Sequence, residues 1–401
     1  MSYIENLLQG AEIEWKPLGD VAELKRGTSI TKKTSTEGKY PVISGGQQPA
    51  YYIDTFNRDG ETITVAGSGA YAGFVMFWNE PIFVSDAFSI KADEKQILSR
   101  YIYHFLLNIQ EKIHDLKAGG GVPHVYAKDV ARFLVPIPCP DNPTKSLEIQ
   151  RKIVEILDKF TTLEAELEAE LDCRRRQYEY YRNQLLSFDM LNMGGQRLNN
   201  IKIMSLGELG TFTRGSGLQK KDFTPTGIDC IHYGQIYTYY GTYAYKTKSF
   251  VSQEFAQKAR KAKNGDLIIA TTSENDEDVC KAVAWLGDEE IAVSSDACFY
   301  AHTMNPKYVA YYFQTEQFQK QKRCFITGTK VRRVNSNDLA KIKIPVPPLS
   351  EQERIVSILD KFDTLTNSIS EGLPKEIELR RKQYEYYRNQ LLSFPEYKAT
   401  A

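Results

Sequence analysis

A block of twelve residues, Gln-Tyr-Glu-Tyr-Tyr-Arg-Asn-Gln-Leu-Leu-Ser-Phe, occupies Gln177–Phe188 and returns unchanged at Gln383–Phe394. Upstream of each copy lies a near-repeat, Ile153–Phe160 and Ile355–Phe362, and both end in Ile-Leu-Asp-Lys-Phe. Identity over such a run does not arise by chance, so the chain is internally duplicated, with a period near half its 401 residues. That period is too long for a solenoid and predicts two large units of one plan.

The repeats read as long helices. Ser146 offers an N-cap to a helix reaching about Phe188. Ile153, Ile156, Phe160, Leu163 and Leu167 follow at heptad-like spacing, and after a shift at Leu171 the seam resumes at Tyr178, Tyr181, Leu185 and Phe188. A second helix is predicted from Ser350 to Phe394, with Glu353 placed for a capping box. It carries Ile355, Ile358, Phe362, Leu365 and Ile369, then Ile377, Tyr384, Tyr387, Leu391 and Phe394. Gly372-Leu373-Pro374 should kink or interrupt it, and this helix region is four residues longer than the first. A lone helix of such length cannot bury its own seam. Two matching seams predict an antiparallel coiled coil with a pseudo-twofold relation between the repeats.

The segments between the helices repeat as well. Pro17–Gly27 matches Ser205–Gly215, Ser85–Phe88 matches Ser295–Cys298, and Asp129–Pro138 matches Asp338–Pro347. In the first segment, strands are predicted at Tyr40–Ser44, Thr62–Ala66, Phe74–Trp78 and Ile82–Ile90, and a helix at Leu98–Asp115. The expected fold class is therefore α+β: two similar α/β domains, residues 1–145 and 190–348, separated by helical spacers at 146–189 and 349–395, with a tail at 396–401. The framework is shared while loops diverge. Gly67–Gly73 has no counterpart in Thr271–Asp278. Common scaffold with unlike loops is the pattern of two sites that read different targets.

Composition limits the function classes. The formal net charge is zero, so any surface for an anionic partner must be local. No apolar run approaches a membrane span, and the start lacks the pattern of a signal peptide. The six cysteines include no Cys-x-x-Cys pair, which fits a reducing cytoplasm, and the five histidines show no metal spacing. The only Pro-Pro, Pro347-Pro348, lies between Val346 and Leu349, so it is not the Asn/Asp-Pro-Pro-aromatic motif that grips a flipped adenine; a phosphate-binding Gly-Lys loop is also missing. The chain reads as non-catalytic.

The two helical repeats, the Pro-Ile-Pro and Pro-Val-Pro-Pro-Leu passages before them, and the Leu-Gly…Arg-Gly openings at Leu18 and Leu206 resemble the specificity subunit of type I restriction–modification enzymes. The resemblance covers nearly the whole chain. It implies two target-recognition domains, each reading one half of a split site in double-stranded DNA. It further implies helices that dock two adenine methyltransferase subunits, with restriction/translocase subunits joining that complex. No cofactor would be bound by this chain, the methyl donor and Mg-ATP belonging to the partners, and no membrane would be involved. Leu163–Glu166, repeated as Leu167–Glu170, resembles the four-residue spacer unit of one subclass. The competing reading is a coiled-coil adaptor that never touches DNA.

Phosphate contacts need Lys, Arg or backbone N–H groups, and base reading needs bidentate side chains on loops. In the first domain the candidates are Lys25, Arg26, Lys32, Lys33, Gln47, Ser68, Tyr71, Lys117, His124 and Lys128. In the second they are Arg214, Lys220, Lys221, His232, Gln235, Ser273, Lys330, Arg332, Arg333 and Asn335, with the basic, glycine-flanked Thr327–Arg333 segment foremost.

Overall fold

The computed structural model describes residues 12–193 and 201–394; the expected tail at 396–401 lies outside them. The chain forms two compact units. One takes in residues up to Glu168 together with those from Glu376 onward, and the other spans Ala169–Lys375. Each unit therefore holds a globular domain, the first part of one long helix and the last part of the other.

In the first unit, Ile13–Pro17 pairs antiparallel with Leu134–Pro138. A four-stranded antiparallel sheet runs in the order Ala22–Arg26, Ala87–Ala92, Glu61–Ala66, Val75–Asn79. A smaller sheet places Val42 and Ile43 parallel to Phe83 and Val84. The second unit repeats the plan: Lys202–Ser205 pairs with Lys343–Val346, and Gly210–Arg214, Ala297–His302, Leu267–Ala270 and Ala282–Trp285 form the main sheet in that order, with Tyr243–Ala244 added as a fifth, parallel edge strand. Cys230 and Ile231 run parallel to Ala292 and Val293, as Val42 and Ile43 do in the first unit.

The duplicated Arg-Gly has a backbone cause. Gly27 N–H donates to Ala87 O (2.9 Å) and Thr28 N–H to Val84 O (2.9 Å). A Cβ on Gly27 would lie 2.2 Å from Ser85 O, and one on Gly215 would lie 2.2 Å from Ser294 O. Only glycine lets the chain cross there. The same crossing splits the single strand expected at Ile82–Ile90 into Phe83–Val84 and Ala87–Ala92. The helix expected at Leu98–Asp115 is likewise two, Ser99–Asn108 and Gln110–His114, parted where Ile109 leaves helical geometry.

The first long helix is continuous from Pro143 to Leu185. It starts before Ser146 because the Asn142 side chain accepts from Lys145 N–H (3.0 Å) and proline suits the first turn; Ser146 is inside the helix. The second is two helices, Leu349–Asn367 and Leu373–Leu392. Pro348 stands at the cap, so the box expected of Ser350 and Glu353 does not form. The break falls at Gly372, whose φ is +82° and whose Cβ would sit 2.4 Å from Thr364 O. Ile369 is expelled from the seam and is 86% exposed.

The repeated helical motif clamps the domains. Gln150 Oε1 accepts from Leu98 N–H (2.9 Å), and Gln352 Oε1 accepts from Asn305 N–H (2.8 Å). Tyr101 donates to Pro136 O (3.0 Å) as Tyr308 does to Pro345 O (3.0 Å). Asp158 accepts from Arg100 Nε (3.1 Å) and from His104 Nε2 (2.7 Å), while Asp360 accepts from Lys307 Nζ (2.8 Å) and the Tyr311 hydroxyl (2.6 Å). His104 is fully buried and its Nδ1 meets the Tyr384 hydroxyl at 2.9 Å. An acceptor carboxylate on one side places the proton on Nε2, so Tyr384 donates to Nδ1. Burial lowers the His104 pKa and keeps the ring neutral. Burial pushes the Asp158 carboxyl up, but hydrogen bonds from His104 and Arg100 and the Arg100 charge outweigh it and hold it below the ordinary range.

The apolar seam is shared between helix and domain. Ile153, Tyr384 and Leu391 are buried in the first core, with Ile156 and Phe160 half-buried against it. Tyr178 and Ile355 are buried in the second, with Leu185 and Phe362 packed on it. Ile377 is buried, and Leu163, Leu167, Ile358 and Leu365 are half-buried. In the first unit the helices run antiparallel: Phe160 stacks on Tyr387 (5.2 Å), and later Glu164 and Glu168 both pair with Arg381. In the second unit Tyr178 and Tyr181 stack on Phe362 (6.2 and 5.6 Å). Among the described residues no helix is long and apolar enough to cross a membrane.

Candidate nucleic-acid interface

Each unit projects one hairpin beside the end of its central sheet, built the same way from unrelated residues. In the first, Ala118 and His124 exchange backbone bonds (3.0 and 2.8 Å), and Val125 N–H reaches Gly67 O (3.1 Å). In the second, Thr327 and Arg333 exchange theirs (2.9 and 2.9 Å), and Val334 N–H reaches Thr271 O (3.1 Å). Gly119 and Gly328 take matching left-handed geometry, φ +113° and +89°. An exposed valine stands at the same place in both tips, Val122 and Val331. The backbone is one device; the side chains are not.

In the first unit the hairpin draws several candidates together. Ser68 bridges to His124, and Gly69 N–H donates to Pro123 O (3.0 Å). Lys117 Nζ donates to Ala70 O (3.4 Å) beside the exposed Tyr71. His124 stacks on Tyr126 (6.1 Å), whose ring also lies under Lys128 Nζ (5.6 Å). Gly45 approaches the backbone of Ser68 closely, which brings the loop bearing the exposed Gln47 to the same patch. Ser68 donates to Asp86, next to the Arg-Gly crossing where Lys25 and Arg26 are exposed. Lys32 and Lys33 lie on an exposed turn tied by Thr31 and Thr34.

In the second unit Thr272 and Ser273 pair with Arg333 and Arg332. Lys330 and Arg333 are exposed, whereas Arg332 Nε pairs with Asp276 (2.8 Å). Other candidates carry bonds within the protein. His232 caps a short helix, and Gln235 accepts from its N–H (3.0 Å) while donating to Ser249 Oγ (2.6 Å). Asn335 caps the helix Ser336–Leu339. Arg214 Nε donates to Ser295 O (3.0 Å). Lys220 and Lys221 open a single 3-10 turn. Two residues of the patches escaped sequence reasoning. Tyr126 follows the candidate His124 and had an aromatic signal, whereas Asp276 lies in the divergent Thr271–Asp278 loop with nothing in the sequence to set it against Arg332. Among the described residues no three His, Cys, Asp or Glu side chains are placed to hold a metal ion.

The chain matches the family described as type I restriction modification DNA specificity domain twice, over residues 11–172 and 199–379. It is similar to the EcoR124I/EcoR124II specificity subunit of Escherichia coli, 34% identical with 98% of each chain covered. A putative type I restriction enzyme specificity subunit of Haemophilus influenzae is 30% identical over 98% of each chain. In fold it is similar to the crystal structure of the type I restriction–modification S subunit of M. genitalium, with a TM-score of 0.58 at 17% identity, covering 96% of this chain and 98% of that one.

Proposed function

Because this chain belongs to the type I restriction–modification DNA specificity family, we propose that each of its domains reads one half of a bipartite DNA site, while its helices dock two adenine methyltransferase subunits and set the spacer. The observation that carries the reading is the pair of hairpins with matching backbone hydrogen bonds, Ala118–His124 and Thr327–Arg333, which carry mostly unlike side chains. One scaffold used twice with different contents suits two half-sites of different sequence. Family membership leaves the adaptor alternative without support. Chemistry belongs to the partners: they supply the methyl donor site and the Mg-ATP site, and restriction/translocase subunits join through the same complex.

Docking of two identical partners is supported by the repeats' outer faces. Tyr180 and Tyr386 are each 60% exposed at matching positions. Each meets its neighbour, Tyr181 or Tyr387, edge to face at 5.4 Å. Exposed, rigid aromatics are what a hot spot requires. For the spacer, Leu163–Glu170 lies within one uninterrupted helix. Four residues add about 6 Å and about 40° of rotation, against roughly 3.4 Å and about 35° per base pair.

The test replaces Lys330, Arg332 and Arg333 by alanine in the methyltransferase-bound chain, with anisotropy titrations at several salt concentrations. Weaker binding with flatter salt dependence is expected. Unchanged affinity and slope would remove the hairpin from the interface.

A further inference from the structure

Three cations decorate the second unit's hairpin, and one is held unlike the others. Lys330 and Arg333 are exposed, and among the described residues their side chains make no ion pair. Arg332 is two-thirds buried, its Nε paired with Asp276 Oδ1 at 2.8 Å, and its Nη1 donates to Gly328 O at 2.6 Å. The Asp276 contact is an ion pair and not a hydrogen bond, so among the described residues the only guanidinium N–H committed to a hydrogen bond within the protein is one on Nη1. The outer edge of the guanidinium, one N–H from each terminal nitrogen, is left to donate as a fork.

The loop that carries Asp276 is tied down on both sides of it. The fully buried Lys322 donates to the carbonyls of Glu277 (2.9 Å) and Val279 (2.8 Å) on either side of the next turn. Asn275 donates to Asp278 Oδ2 (2.7 Å) and accepts from its N–H (2.7 Å). Tyr237 anchors the strand before the loop by donating to Thr272 O (2.7 Å). A lysine buried without a carboxylate bond is costly; here it spans the backbone of the loop that aims Asp276. The layout is a side chain, a carboxylate that orients it, and a second cation that orients the carboxylate's loop.

We propose that Arg332 is the specificity-determining residue of the second domain, reading a guanine through paired bonds to O6 and N7, and that Lys330 and Arg333 contact phosphates. A phosphate needs only a charge and tolerates a swinging side chain, whereas the guanine edge demands a fork at fixed angle. Arg332 alone among the three has surrendered its rotamer freedom before binding. Lys322 and Asp276 are positioning residues. The assignment rests on the DNA-reading function proposed above.

The experiment uses the complete chain with its methyltransferase partner. Duplexes in which every position of the second half-site is changed in turn are titrated against single variants. Arg332→Ala is expected to lose about 10- to 100-fold on the cognate site, to become indifferent at one G·C position, and to keep its salt slope. Arg332→Lys keeps the charge but not the fork, and should show the same indifference. Asp276→Asn should partly relax that same position. Lys330→Ala and Arg333→Ala should weaken all duplexes alike and lower the slope by about 1 each. An Arg332→Ala profile that keeps every base preference, or loses slope as the other two do, would overturn the assignment. A wild-type complex that binds no duplex selectively would overturn the DNA-reading function itself.

Discussion

Replacing Asp158 by alanine tests whether the repeated Ile-Leu-Asp-Lys-Phe motif is a clamp between helix and domain. The carboxylate accepts from Arg100 at 3.1 and 3.3 Å and from His104 at 2.7 Å. His104 has no exposed surface, so losing its acceptor strands a buried N–H, which costs about 1–3 kcal/mol. Arg100 is about a quarter exposed and recovers part of its hydration; losing its paired bonds adds about 1 kcal/mol. The sum is about 3 kcal/mol, which in a unit of this size lowers Tm by about 6–12 °C. Calorimetry of the full chain reads the shift, and hydrogen exchange locates it: amides of Ser99–Asn108 should lose protection while those of Pro306–Tyr312 keep theirs. Asp360→Ala should give the converse pattern. Wild-type protection over Ser99–Asn108 in Asp158→Ala would refute the clamp.

Two further outcomes are expected. Burial lowers the pKa of His302 to about 4, against a backbone hydrogen bond with Met304 that pulls it up. Between that value and about 6.5 the unfolded chain takes up a proton that the folded one refuses, so stability falls as pH drops through this window, by about 3 kcal/mol in full. His302→Phe should flatten a Tm series from pH 7 to 4; an unchanged acid slope would contradict it. Deleting Leu163–Glu166 should shorten the preferred spacer while both half-sites persist, and a methylation map with the original spacer would oppose the ruler.

The helices were legible because heptad spacing and outright identity reinforce each other across the two copies. Their ends were not: Asn142 caps one turn earlier than Ser146, and Pro348 displaces the Ser350–Glu353 box. Ile369 fitted the seam on paper, but Gly372 and its left-handed turn carry that segment off the helix. The Arg-Gly and Asp-Ala repeats were visible as identities, yet their cause, a backbone crossing that no Cβ survives, is a tertiary contact. The matched hairpins and the residue after each share only one glycine and two valines at corresponding places, too little for sequence comparison to register. Asp276 gained meaning only when the fold set it against Arg332.

The central claim is that two unlike heads in one chain read the two halves of a split site. Single-molecule mapping of modified adenines in DNA exposed to the chain and its methyltransferase partner tests it most directly, with the first domain's hairpin, Ala118–His124, replaced by that of a relative. The expected map is a gapped motif whose one half changes while the other half and the gap stay as they were. A continuous motif, or one in which both halves change together, would contradict the account.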